Sequence, residues 1–141
     1  MWPEVRPERT GWRDQRMSER HRHWGWNCPA VDIDFLLCDY DKGKSVALIE
    51  YKHESAKKQD LKNASYRALI DLGNRARLPV FFCRYKHDFT LFRVIPLNTK
   101  AKEWISRGKD MSEREYVTLL YAMRGYGLPQ NLLKEYGGVI T

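Results

Sequence analysis

The chain has no run of about 20 consecutive apolar residues, the length a helix needs to cross a bilayer. Its N-terminus, with Arg6, Arg9, Arg13 and Arg16 among acids, lacks the apolar core of a signal peptide. The expectation is a soluble, cytoplasmic protein with no membrane partner. Cysteine is scarce. Cys28, Cys38 and Cys83 have no CxxC spacing, and an odd count does not suit a disulfide framework, so reduced thiols are expected. His21 and His23 with Cys28 fall short of the four closely spaced ligands that a closed zinc site needs. Internal repeats and low-complexity segments are missing too. What the chain does have is positive charge: a net +7 and a pI near 9.4 suggest a polyanionic partner, because Lys and Arg gain affinity for phosphates by releasing counterions. At 141 residues and 43% hydrophobic content it is read as one domain with one core, residues 1–14 forming a basic N-terminal arm and 98–141 a helical C-terminal extension.

Residues 31–53, VDIDFLLCDYDKGKSVALIEYKH, carry the strongest local signal. Val31 to Cys38 and Val46 to His53 are rich in β-branched and aliphatic residues, and Asp41-Lys42-Gly43 between them is turn chemistry, so an antiparallel hairpin is expected. A three-residue loop with Gly43 left-handed sets Cys38 opposite Val46, Leu36 opposite Leu48, Asp34 opposite Glu50 and Asp32 opposite Lys52, all on one face. Ile33, Phe35, Leu37, Ala47, Ile49 and Tyr51 take the other face, and strands apolar on both faces read as central strands. Two carboxylates directly opposite each other, with Cβ atoms ~5 Å apart, repel unless something positive sits between them. Mg²⁺, a hard ion held by one or two carboxylates plus waters and phosphates, suits that position, with Mn²⁺ as a second candidate ion. The plainer reading of the same letters is a solvated strand face with an Asp32–Lys52 ion pair.

Asp34 followed by Glu50-Tyr51-Lys52 resembles the D…(D/E)-x-K signature of the PD-(D/E)XK, or restriction endonuclease-like, nuclease superfamily, over roughly residues 15–97. The resemblance implies an α/β fold with a central mixed sheet flanked by helices, and a Mg²⁺-dependent endonuclease acting on nucleic acid, most simply DNA. It further implies that Asp34, Glu50 and the backbone carbonyl of Tyr51 hold the metal, with Lys52 acting on the attacking water or on the developing phosphoryl charge. Asp32 would position Lys52, hold a second metal or replace Asp34 as first ligand. Glu19, on a helix before the core, matches an acid that reaches the metal site in such nucleases, and Gln59 matches a supporting residue on the helix after the motif. The compactness of the chain is similar to that of small phage-type or junction-resolving nucleases, which need a homodimer to cut two strands. The rival class is a module that keeps the fold and the basic surface but binds nucleic acid or protein without cutting.

The rest of the chain is read around this motif. Residues 15–23 are expected to form a short helix whose Arg20, His21 and Arg22 contact phosphate, while Trp12, Trp24 and Trp26 are read as core or interface anchors. Ser55 to Arg77 reads as an amphipathic crossover helix with Leu61, Ala64, Ala68, Leu69, Leu72 and Ala76 inward and Tyr66 in the core. Its first turn would carry Lys57, Lys58 and Gln59, with Lys62 following. Lysines there are unfavourable for the helix dipole and make better sense beside a phosphate backbone. Val80 to Tyr85 should run parallel to the strand bearing Glu50, because a helix joins them. Phe89 to Val94 completes a second hairpin ended by Pro96, and Lys100 to Ile105 forms a short helical stretch. Ser112-Glu113-Arg114-Glu115 is a capping box opening a helix that Gly125 and Gly127 end, and Pro129 can begin a last one.

Overall fold

The structure, a computed structural model, describes residues 15–25 and 33–137. The chain divides into two compact units, residues 1–32 and 33–141. In the first, α1 spans Gln15–His23, and Gly25 follows it in the left-handed region with φ +96°. Trp24 is 51% exposed, so of the core and interface roles expected for it the core role fails; Trp12, Trp26, Cys28, Asp32 and the basic arm lie outside the described residues.

The second unit is mixed α/β. In chain order it contains β1 (Phe35–Asp39), β2 (Lys44–His53), α2 (Ala64–Ala76), β3 (Val80–Tyr85), β4 (Phe92–Pro96), α3 (Thr99–Lys102), β5 (Lys109–Met111), α4 (Glu113–Met123) and α5 (Gln130–Glu135). The five strands form one mixed sheet in the order β1-β2-β3-β4-β5. β2 and β3 run parallel, as the intervening helix demands, and the other neighbours are antiparallel. No described helix is long and apolar enough to cross a membrane.

The hairpin register matches expectation at Leu36↔Leu48 but slips between Leu37 and Cys38, so that Cys38 pairs with Ser45 and not with Val46. The turn is the reason. It takes four residues, Tyr40 to Gly43, with the Gly43 N–H donating to the Tyr40 carbonyl at 3.2 Å and Gly43 left-handed at φ +58°. One residue too many is then absorbed by a bulge beside Val46. β1 is also an edge strand of the described sheet, with Ile33, Phe35 and Leu36 about half exposed (49%, 44% and 51%). Being apolar on both faces therefore made only β2 a central strand.

Two cores sandwich the sheet. On one face Leu48 and Val80 pack against Leu69 of α2, and on the other Ile49, Phe81, Cys83, Phe92 and Val94 pack against Tyr116 of α4. α2 begins nine residues later than expected, at Ala64 instead of Ser55. Asn63 caps it by accepting the Tyr66 N–H at 3.1 Å, and its inward face is Tyr66, Leu69 and Gly73. Leu72 of the expected stripe is 41% exposed, and Ala64, Ala68 and Ala76 are exposed as well. β4 starts three residues later than expected, because Phe89 turns the chain at φ +60°. The capping box forms as read, with the Ser112 hydroxyl accepting the Glu115 N–H and the Glu115 carboxylate accepting the Ser112 N–H, both at 3.1 Å. The short strand β5 has no counterpart in the sequence reading.

Candidate active site

Asp34 stands immediately before β1. The β1–β2 register, continued by one residue, sets it opposite Glu50, and its Oδ2 accepts the Tyr51 N–H at 3.2 Å. Glu50 and Lys52 are half-buried on β2 and share the face covered by α2, because strand side chains alternate. Tyr51 points the other way. Its ring contacts Tyr116 and Tyr85 and its hydroxyl bonds the Tyr116 hydroxyl, so only its backbone faces the Asp34 side. Burial raises the Tyr51 phenol to about 12.

α2 closes over this row because Gly73 lets it. A Cβ at Gly73 would lie 2.1 Å from Cγ2 of Val80, far inside any tolerable contact, so only glycine permits this approach. Two turns earlier, Tyr66 packs edge-on against Phe82 with ring centroids 5.9 Å apart, and Phe82 is the cross-strand partner of Glu50. The Tyr66 hydroxyl donates a long hydrogen bond, 3.5 Å, to Oε1 of Gln59. Burial first, then the negative charges of Glu50 and Asp34, push its pKa above the ordinary 10.0, with Arg84 opposing. A protonated phenol therefore stands within electrostatic reach of both carboxylates at neutral pH.

Arg84 is the cross-strand partner of Lys52. Its guanidinium donates to the carbonyls of Glu54 (3.1 Å), Ala56 (2.9 Å) and Lys57 (3.2 Å). Those carbonyls are the acceptors that an early helix would have consumed, which explains why residues 54–63 form a loop. Lys57, Lys58 and Lys62 are exposed on that loop and not on a helical first turn. Gln59 donates to the Lys57 carbonyl at 2.7 Å and so joins the loop to Tyr66.

The start of the same loop is fastened a second time. Nδ1 of His53 accepts the Ser55 N–H at 3.1 Å, which leaves the proton of a neutral His53 on Nε2, 3.2 Å from Nδ1 of His87. The His87 N–H in turn donates to Glu54 Oε2 at 2.7 Å.

The expected residues thus divide three ways. Asp34, Glu50 and Lys52 share one face of the β1–β2 pair, with the Tyr51 N–H bonded to Asp34, and Gln59 is joined to that face through Tyr66. Glu19, Arg20, His21 and Arg22 lie on α1 of the other unit, where Glu19 and the arginines are exposed and His21 meets Trp24 edge-on at 4.8 Å. Asp32 falls outside the described residues. Sequence reading missed Arg84, for which an arginine ending the otherwise buried run VFFCR was the available signal; it read Tyr66 as core rather than catalytic, and Tyr66 is indeed buried. Among the described residues no group of three or more His, Cys, Asp or Glu is arranged to hold a metal ion. Two carboxylates with one Asp34 oxygen uncommitted to Tyr51 are nevertheless a hard-oxygen set, which suits Mg²⁺ completed by a carbonyl and waters.

No family model matches the chain, and no characterised protein or solved structure matches it significantly.

Proposed function

We propose that the chain is a Mg²⁺-dependent nuclease with a restriction endonuclease-like core, hydrolysing phosphodiester bonds of nucleic acid, most simply as a DNA endonuclease. The observation that carries the reading is the meeting of Asp34 and Glu50 beside Lys52 on a face closed by Tyr66. Like charges directly opposite one another on a strand pair are destabilising, and a divalent cation bound between them would offset that cost. Asp34, Glu50 and the Tyr51 carbonyl would hold the metal, which when bound supplies Lewis acidity toward a phosphate diester. The Lys52 ammonium donates to the attacking water or to the phosphate oxygens that gain charge, a contribution that grows as bound substrate excludes water from the half-buried site. Tyr66 adds an uncharged hydroxyl to the same region, tied to Gln59. Arg84 works at one remove, holding the loop from which Lys57, Lys58 and Lys62 meet the backbone of the substrate. Cutting both strands of a duplex would engage a homodimer, in the manner of phage-type or junction-resolving nucleases.

A cleavage panel tests this: linear, nicked, branched and single-stranded DNA and RNA, each with Mg²⁺, Mn²⁺ or EDTA, with Glu50→Ala as the contamination control. Metal-dependent cutting that Glu50→Ala abolishes supports the reading. Binding without cutting across the whole panel leaves the rival, a non-cleaving binding module.

A further inference from the structure

Trp104 is 44% exposed, an unusual place for a side chain that is highly buried on average. Its backbone is held in place nonetheless. Its N–H donates to the carbonyl of fully buried Ala101 at 3.0 Å, as does that of Ile105 at 3.1 Å, and Ile105 packs into the core. The ring borders an open cleft of about 570 Å³ lined by residues 104–110. Around it residues 100–110 supply four cations, Lys100, Lys102, Arg107 and Lys109, against two carboxylates, Glu103 and Asp110. Lys100 and Lys109 make only loose pairs, 3.8 Å to Glu103 and 4.0 Å to Glu115, which water and phosphate readily replace. Lys102 and Arg107 form no ion pair with a described residue.

The cleft is also aligned with the candidate active site. Lys52 pairs with Arg84, Arg84 with Arg93, and Arg93 with Asp110, so one row of the sheet runs from Lys52 to the edge of the cleft. Three strand spacings make that ~14 Å, about four nucleotides at the ~3.4 Å rise of a stacked strand. Arg93, exposed two spacings along it, is ion-paired to Asp110 at 2.9 Å.

We propose that the Trp104 cleft is a stacking subsite for an unpaired base of a single-stranded nucleic-acid segment. An exposed indole flanked by exposed cations is what such strands bind: the ring takes the face of any base, and the cations take the phosphates beside it. The proposal rests on the nucleic-acid reading above and narrows the substrate to one with an unpaired arm.

Binding in EDTA tests it apart from catalysis. Fluorescence anisotropy is measured with labelled single strands of DNA and of RNA, roughly 15 nucleotides long to fill one binding surface, and with a blunt duplex. Trp104→Ala should weaken single-strand binding about 5- to 150-fold, the equivalent of ~1–3 kcal/mol per stacked base. Trp104→Phe should retain most of the affinity and duplex binding should not change. Arg107→Ala should lower the salt slope by about 0.7, the value for one phosphate contact on a single strand, whereas Trp104→Ala should leave it unaltered. The stronger of the DNA and RNA arms identifies the sugar. A Trp104→Ala protein that binds single strands as wild type does, or a wild type that binds none, overturns the subsite. Trp104-dependent binding without cleavage of any substrate would overturn the nuclease reading alone.

Discussion

Replacing Asp34 by Asn removes one charge while leaving an oxygen within reach of the Tyr51 N–H, so two opposing effects can be weighed. The bond at 3.2 Å changes from charge-assisted to neutral, which lowers a contribution of ~1.5–3 kcal/mol to ~0.5–1.5. Relief of the like charge at Glu50 returns ~0.2–1 kcal/mol. Because Asp34 is exposed, solvent screening puts both figures near their lower ends. Without metal, Asp34→Asn should therefore melt within about 3 °C of wild type, since ~1 kcal/mol corresponds to roughly 3–4 °C at this chain length.

Mg²⁺ separates the two proteins. With about 10 mM ion and a Kd of about 1 mM, binding to the folded state adds RT ln 11, or ~1.4 kcal/mol, and raises the wild-type midpoint by about 5 °C. Asp34→Asn and Glu50→Gln should each erase that rise, because each halves the carboxylate set. The assay is a thermal melt of all three proteins in EDTA, in Mg²⁺, and in NaCl of matched ionic strength, which corrects for screening of the net +7 chain. A wild type that responds equally to Mg²⁺ and to NaCl, or an Asp34→Asn protein that keeps the Mg²⁺ response, refutes the metal assignment.

Lys52→Ala should abolish turnover yet leave substrate affinity within a few fold, and equal losses in both would make Lys52 a docking residue. Asn98→Ala should cost roughly 3 kcal/mol by urea denaturation, because Asn98 accepts the buried N–H groups of Val80 (3.1 Å) and Ala101 (2.9 Å) and donates to the Leu78 carbonyl (2.8 Å); a cost below ~1 kcal/mol would mean that water replaces it. Gly73→Ala should destabilise by ~1–3 kcal/mol despite alanine's better helix propensity, since its Cβ would meet Val80 at 2.1 Å, and a neutral result would show that α2 can withdraw from β3. Alkali should unfold the protein progressively between pH 9 and 12: burial raises Cys83 from 9.0 to about 12 and Tyr51 from 10.0 to about 12, so the unfolded chain releases protons first and stability falls as pH rises. Melts at stepped pH check this, and a midpoint flat across that window would contradict the burial of both groups.

The parts of the fold legible in the sequence were those written in local chemistry. Ser112 and Glu115 form a capping box whatever surrounds them, and Gly43 with its polar neighbours makes a turn wherever two apolar runs flank it. The parallel pairing of β2 and β3 followed from the helix between them. Boundaries failed where a distant residue competed for the backbone. From the sequence, residues 55–63 could join the helix; Arg84, thirty residues downstream of Glu54, takes the carbonyls of Glu54, Ala56 and Lys57 and makes them a loop. The hairpin slip at Cys38 has a similar origin, because loop lengths of three and four residues suit the same Asp-Lys-Gly letters and only the closing pair Asp39↔Lys44 decides between them.

The candidate site divides along the same line. Asp34, Glu50 and Lys52 are legible because period-two alternation and one turn suffice to place them on a common face. Tyr66 and Arg84 are not, since each reaches the site by way of a tertiary contact that no local pattern encodes. Tyr66 depends on Gly73, two turns along the helix, lacking the side chain that would hold α2 away from Val80. Arg84 depends on the parallel register that sets it against Lys52. Both are supports built by packing around a motif built by local sequence. It follows that loss of a support should change how the site is held before it changes what the site contains. Arg84→Ala should loosen residues 54–57 to hydrogen exchange while Mg²⁺-dependent stabilisation through Asp34 and Glu50 survives, and loss of both together would place Arg84 in the metal site itself.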